Sequence, residues 1–270
     1  MARILILSSW VAHGHVGLSA AAPVLQALGH TVTQLPTVVL SNHPGWPRAA
    51  GHPVPPETLA EMVDALDANG FLHGQDAVLT GYLPGAAHVA FAADLVDRLR
   101  AAAERPLRVV VDPVLGDAPK GLYLPEDAAA ALRDRLVPLA DVLTPNLFEL
   151  GWLAGGPAET RDSARTAAQG LMGAGRARTI HVTSVPDGPA RTGVLTVTRD
   201  GAELLGRPLR DGVPHGVGDV FAALIAAGLP ARAALGHLDA LIEASLGAPH
   251  LRIAEAAQSW TRPAATLPPA

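Results

Sequence analysis

Leu107-Arg108-Val109-Val110-Val111-Asp112-Pro113-Val114-Leu115-Gly116-Asp117 is the stretch whose reading decides the fold. Its first five residues form an apolar run of strand length, which an Asp-Pro turn ends. A helical pattern follows over about residues 126–136, so the unit reads strand, acidic loop, helix. The unit recurs on both sides. A strand over residues 3–7, ended by Ser8-Ser9, precedes a helix over about 16–28, and Ala77-Val78-Leu79-Thr80 precedes one over about 86–103. Asp141-Val142-Leu143 and residues 179–183 supply two more apolar runs. Strands apolar on both faces and alternating with helices predict an α/β fold in three layers, a mostly parallel central sheet with helices on both faces. Residues 192–205 differ: two strand-like runs flank Arg199-Asp200-Gly201, which predicts an antiparallel hairpin at the sheet edge.

A chain of 270 residues, 49% of them hydrophobic, can bury one large core. The expectation is therefore a single domain over residues 1–262, with a flexible tail at 263–270. The net charge of −5 offers no basic footprint for nucleic acid or for an anionic membrane surface. Ile4 to Leu7 is too short for a signal-peptide core or a membrane span. The absence of Cys removes disulfides and thiolate metal sites and fits a cytoplasmic setting. None of the 11 His shows the paired helical spacing of zinc hydrolases. Pro, Gly and His crowd residues 42–56, which predicts a surface loop at the sheet edge and a candidate lid.

The chemistry concentrates where strands end and where one helix begins. In His215-Gly216-Val217-Gly218-Asp219 the glycines free the backbone to aim several N–H groups at one spot, and the apolar run from Val220 to Ala227 makes that spot a helix start. A phosphoryl group suits it, with Asp219 as the base for an incoming hydroxyl. The same residues also describe an ordinary helix start with Asp as N-cap. Asp112 and Asp117, just past a strand, suit Mg²⁺ and the phosphates of ATP, or else a plain Asp-Pro turn. Thr144-Pro145-Asn146-Leu147-Phe148-Glu149 also follows a strand: Glu149 is placed to hold a metal-bound water, while Asn146 and Glu149 form a capping-box pattern. Ser9, His13, Gly14, His15 and Gly17 make a polar loop after the first strand. It lacks the Gly-x-Gly-x-x-Gly spacing of a dinucleotide site. Tyr82 is placed either to stack on a small ring or simply to pack.

Taken in order, Ser9-Trp10-Val11-Ala12-His13-Gly14-His15, Ser41-Asn42-His43, Thr80-Gly81-Tyr82, Asp112 to Asp117, Thr144 to Leu150 and Gly216 to Asp219 resemble the pyridoxal kinases of the ribokinase superfamily. The resemblance implies a ribokinase-like fold and transfer of the ATP γ-phosphoryl group to the 5′-hydroxyl of pyridoxal, pyridoxine or pyridoxamine. It implies Asp219 as the base, with the backbone amides of Gly216, Val217 and Gly218 holding the transferring group. Ser9, Gly17, His43 and Tyr82 would line the vitamin site. Asp112, Asp117, Thr144, Asn146, Glu149, Thr183, Ser184, Arg207 and Leu209 would serve ATP, with Asp112 and Glu149 toward Mg²⁺. A monovalent cation such as K⁺ and a homodimer are further implications. The chain departs from the family at Pro44-Gly45-Trp46-Pro47, at Leu18 and in a short 207–219 loop. A hydroxymethylpyrimidine kinase of the same fold is the nearest alternative, and a vitamin-binding protein that has lost transfer is another.

Overall fold

The computed structural model describes residues 1–263. Of the tail expected at 263–270, all but Pro263 lies outside the described residues. The chain forms, in order, β1 (Arg3–Val11), α1 (Leu18–Ala27), β2 (Thr31–Leu40), β3 (Gly51–Pro53), α2 (Pro56–Ala68), β4 (Ala77–Thr80) and α3 (Ala86–Ala102). There follow β5 (Arg108–Val111), the two-residue strands β6 (Gly116–Asp117) and β7 (Gly121–Leu122), α4 (Glu126–Ala131), β8 (Val142–Leu143), α5 (Leu147–Ala154) and α6 (Arg161–Ala174). Last come β9 (Thr179–Pro186), β10 (Arg191–Thr198), β11 (Gly201–Pro208), α7 (Val217–Ala226), α8 (Ala231–Ser245) and α9 (Ala257–Trp260).

Nine strands make one sheet in the order β11-β10-β9-β8-β5-β4-β1-β2-β3. From β9 through β2 every pairing is parallel, and β10-β11 is the antiparallel hairpin expected at one edge. Pleating separates two cores. Ile4, Ile6, Leu79 and Val110 pack with α1, α7 and α8 on one face, whereas Leu5, Leu7, Val78, Val109 and Val111 pack with the helices from α2 to α6 on the other. Each such side chain contributes about 2 kcal/mol on burial, so a strand reading apolar on both faces is driven into the middle layer.

Four elements differ from expectation. β1 continues through Ser8 and Ser9 to Val11 instead of ending at Leu7, with its register to β2 slipping between Ser8 and Trp10. β2 itself was not legible, because Pro36 interrupts its pattern. Pro36 is tolerated because β3 covers only Val38 to Leu40, leaving no outer partner at position 36. β3 lies inside the expected 42–56 loop, where it pairs antiparallel with β2. The helix expected over 126–136 is α-helical only to Ala131, then passes through a π turn (Leu132–Leu136) into a 3₁₀ turn (Val137–Leu139). Pro138, which has no N–H to donate, lies in that last turn. Among the described residues no helix is long and apolar enough to cross a membrane.

Candidate active site

Because β1, β4, β5, β8 and β9 run parallel, their carboxyl ends meet along one edge of the sheet, where open α/β sheets bind ligands. The ladder carries the loops into line: Gly81 N–H donates to Leu7 O at 2.9 Å, Asp112 N–H to Thr80 O at 2.9 Å, Thr144 N–H to Val111 O at 3.2 Å and Thr183 N–H to Pro145 O at 2.8 Å. Thus the residues read from four separate loops stand side by side. α7 begins beside them. Gly216 caps it with φ 100°, and a Cβ there would lie 2.0 Å from His15 O, so only glycine fits. At Gly218 a Cβ would meet nothing within 4 Å, which leaves the first turn open to a ligand.

Asp219 is not the N-cap. Gly216 holds that place, and the N–H groups of Gly17 and of Asp219 itself lie near enough to the Asp219 carboxylate to favour its charged form. Burial nevertheless raises its pKa to about 6. A narrow cavity lined by Ser8, Gly17, Gly81, Asp112 and Asp219 joins this carboxylate to the next one. Asp112 is buried, accepts from Thr144 Oγ1 at 2.9 Å, and is pushed up to about 8 by burial and then by the charge of Asp219. Glu149 is raised well above the carboxylate range by burial and then by Asp112, against the N–H bonds of Asn146, Leu115 and Gly116.

The capping box is formed. Asn146 accepts from Glu149 N–H at 2.9 Å, and Glu149 Oε2 accepts from Asn146 N–H at 2.8 Å. Asn146 Nδ2 also donates to Gly116 O at 2.9 Å, tying β6 to the start of α5. Asp117 Oδ1 is buried without a partner. Two carboxyls pushed toward the neutral form by burial and then by a neighbouring carboxylate, and a third with an unmet oxygen, describe a place short of positive charge, and a divalent cation fits it. Among the described residues no three His, Cys, Asp or Glu side chains converge as a closed cage. That suits Mg²⁺, which takes one or two carboxylates and completes its shell with phosphate and water.

Toward the other side stand Ser9, Gly17 and Tyr82. A Cβ on Gly17 would lie 2.3 Å from Ser9 Oγ, so glycine lets α1 start against β1. Tyr82 is held by its backbone: its N–H donates to Ser8 Oγ at 3.2 Å, and its carbonyl accepts from Thr37 Oγ1 at 2.7 Å. Thr183 and Ser184 lie inside β9 rather than at its end. Ser184, with φ 59°, sits where the register to β10 slips, a bulge of the kind that re-aims side chains beside functional sites. Arg207 is already paired with Asp239 of α8, and Leu209 is exposed.

Sequence reasoning passed over Lys120 and Tyr123 on the β6-β7 hairpin. Tyr123 lies near enough to Asp117, and Lys120 to His43, for each to act on the other's charge. Strands of two residues carry no period that could have shown the hairpin.

A glycine-opened helix start bearing a carboxylate, beside buried acids at the carboxyl edge of a parallel sheet, fits a phosphoryl-transferring enzyme of the ribokinase-like kind. The phosphomethylpyrimidine kinase family profile matches residues 13–244. A pyridoxine/pyridoxal/pyridoxamine kinase of Bordetella bronchiseptica is 41% identical over 253 residues, 88% of each chain. Pyridoxal kinase PdxY of Deinococcus radiodurans is 38% identical over 82% of this chain and 77% of its own. Pyridoxal kinase from Leishmania donovani, in complex with ADP and pyridoxamine, superposes with a TM-score of 0.90 at 32% identity over 98% of this chain and 97% of that one. The chain belongs to the pyridoxal kinases of the ribokinase superfamily.

Proposed function

We propose that this protein transfers the γ-phosphoryl group of ATP to the 5′-hydroxyl of pyridoxal, and of pyridoxine and pyridoxamine, yielding the 5′-phosphate and ADP. The observation that carries the reading is Asp219 in the first turn of α7, sharing one cavity with Gly17 of the vitamin-side loop and Asp112 of the nucleotide side. As the 5′-oxygen attacks the γ-phosphorus, the Asp219 carboxylate takes its proton while the bond from the γ-phosphorus to the β-γ bridging oxygen breaks. The N–H groups of Gly216, Val217 and Gly218 face the charge that builds on the transferring group. Ser9, Gly17, His43 and Tyr82 orient the vitamin. Asp117, Thr144, Asn146, Thr183 and Ser184 line the nucleotide side, with Arg207 and Leu209 at the end of β11. Asp112 and Glu149 would hold Mg²⁺, Glu149 through water because backbone N–H groups occupy its oxygens, and the ion supplies neutralisation of phosphate charge. A monovalent cation such as K⁺, a homodimer, one kinase domain over residues 1–262 and a cytoplasmic location belong to the same reading.

An assay coupled to ADP release, run with pyridoxal, pyridoxine, pyridoxamine and hydroxymethylpyrimidine, tests it. Turnover is expected to favour the three vitamers, and a clear preference for hydroxymethylpyrimidine would overturn the assignment. That second reading is kept because Pro44-Gly45-Trp46-Pro47 departs from the pyridoxal kinase pattern and the matching profile is described by its pyrimidine substrate.

The raised Asp219 pKa fixes a pH profile. A base works only when ionised, so kcat/KM for the vitamin, which reports the ligand-free enzyme, should fall tenfold per pH unit below about 6 and level off above it. A kcat/KM that stays flat across that value would remove Asp219 from the role of base.

A further inference from the structure

His43 and His215 come from loops distant in sequence, yet their imidazole rings stack with centroids 4.2 Å apart and planes 28° from parallel. His215 directly precedes Gly216, the left-handed cap of α7. His43 sits in the vitamin-side loop that follows β2. That loop is closed largely on itself: Asn42 Nδ2 donates to the carbonyls of His43 and Arg48 at 3.1 and 2.9 Å, and Ser41 Oγ accepts from Ala50 N–H at 2.9 Å. None of these bonds reaches the catalytic helix. The ring pair does. Gly45 wraps the pair, its N–H donating to His43 Nδ1 at 3.1 Å, and a Cβ there would come within 2.8 Å of that nitrogen and 3.4 Å of His215 Nε2.

We propose that His215 is a positioning residue whose ring, stacked on His43, docks the vitamin-side loop onto the first turn of the catalytic helix and so sets how tightly the vitamin is held. The inference rests on the kinase reading above and deepens its vitamin side. Because the contact orders the loop before the vitamin arrives, losing it adds an ordering cost to binding and none to the transfer step, so it belongs in KM rather than in kcat.

The pair is built for the neutral form. Nδ1 of His43 accepts the Gly45 N–H, which a protonated ring cannot do, since both nitrogens of the cation are donors. The charged groups acting on His43 are His215 and Lys120, both able to carry positive charge, and with burial as the larger cause they hold the ring below the usual imidazole range. Acid therefore breaks the Gly45 bond and sets like charges face to face, which loosens the loop.

His215→Ala should raise the vitamin KM about threefold to tenfold, the worth of one aromatic pair, with kcat and the ATP KM within about twofold of wild type. His215→Phe keeps a stacked ring and should restore the vitamin KM. In wild type the vitamin KM should climb as pH falls below the usual imidazole range, and His215→Phe, which removes one of the two cationic neighbours of His43, should flatten that climb. An unchanged vitamin KM in His215→Ala overturns the proposal, as does a Phe variant no better than Ala or a climb with acid identical in Phe and wild type. Should Ala disturb the start of α7, comparison of Phe with Leu decides, equal KM values overturning it. If wild type phosphorylates no vitamer, the kinase reading itself falls. If wild type is active and the His215 variants match it, only this inference does.

Discussion

Asp219→Asn is expected to lower kcat at least ~10²-fold while the vitamin KM stays within about twofold, since a positioned general base contributes about 10²–10⁴-fold. The substitution keeps shape and leaves an oxygen facing Gly17 in the shared cavity, so the β1-α1 loop should not move. What is lost is the ability to take a proton. The carboxylate also opposes phosphate binding at the helix start, so a slightly lower ATP KM would be consistent with the same geometry. Steady-state kinetics with a coupled ADP readout measures both quantities. Turnover near wild type would show that the proton leaves by another route, and a parallel collapse of vitamin binding would show that Asp219 orients rather than deprotonates.

Asp112→Asn should separate stability from activity. A carboxyl whose pKa rises on folding favours the folded state least where it must ionise. Stability is undiminished below the ordinary value of 3.8, falls as pH climbs from there, and reaches its full loss near the folded value of about 8. Removing that carboxyl should therefore stabilise the ligand-free protein at alkaline pH, by on the order of 1–3 kcal/mol, and make little difference near pH 4. Asn keeps an acceptor for Thr144 Oγ1, so the buried hydroxyl is not orphaned. Activity should move the other way, with kcat/KM for ATP falling about 10²-fold once the nucleotide side loses charge. Mg²⁺ with ATP should raise the melting temperature of wild type more than that of Asp112→Asn. Thermal melts across pH, with and without Mg²⁺ and ATP, make the measurement. An alkaline melt no higher than that of wild type would mean that Asp112 is already compensated in the folded protein.

The two sites of substitution also differ in how they could be read. Asp112 announces itself in the chain, since a run such as Val109-Val110-Val111 stopped by Asp-Pro has few places to go other than the carboxyl end of a buried strand. Asn146 and Glu149 are equally local, because a capping box is a contact between residues three apart. Asp219 was legible as a helix start but ambiguous in role, as any Asp near a helix N-terminus satisfies the same pattern.

By itself the sequence determined the layers, the parallel core of the sheet, the β10-β11 edge and the set of polar loops at one end. These follow from the period of apolar residues and the sign of turn residues, both properties of neighbours in the chain. Tertiary structure alone decided that Gly216 rather than Asp219 caps α7, that Pro36 lies within a strand, that Ser184 occupies a bulge and that His43 meets His215. Each depends on what a distant segment places opposite the residue: the carbonyl of His15, the short reach of β3, the slipped register of β10, a ring from the far end of the chain. Local preferences of a few tenths of a kcal/mol carry no record of such partners, whereas packing and desolvation in the folded chain decide them outright.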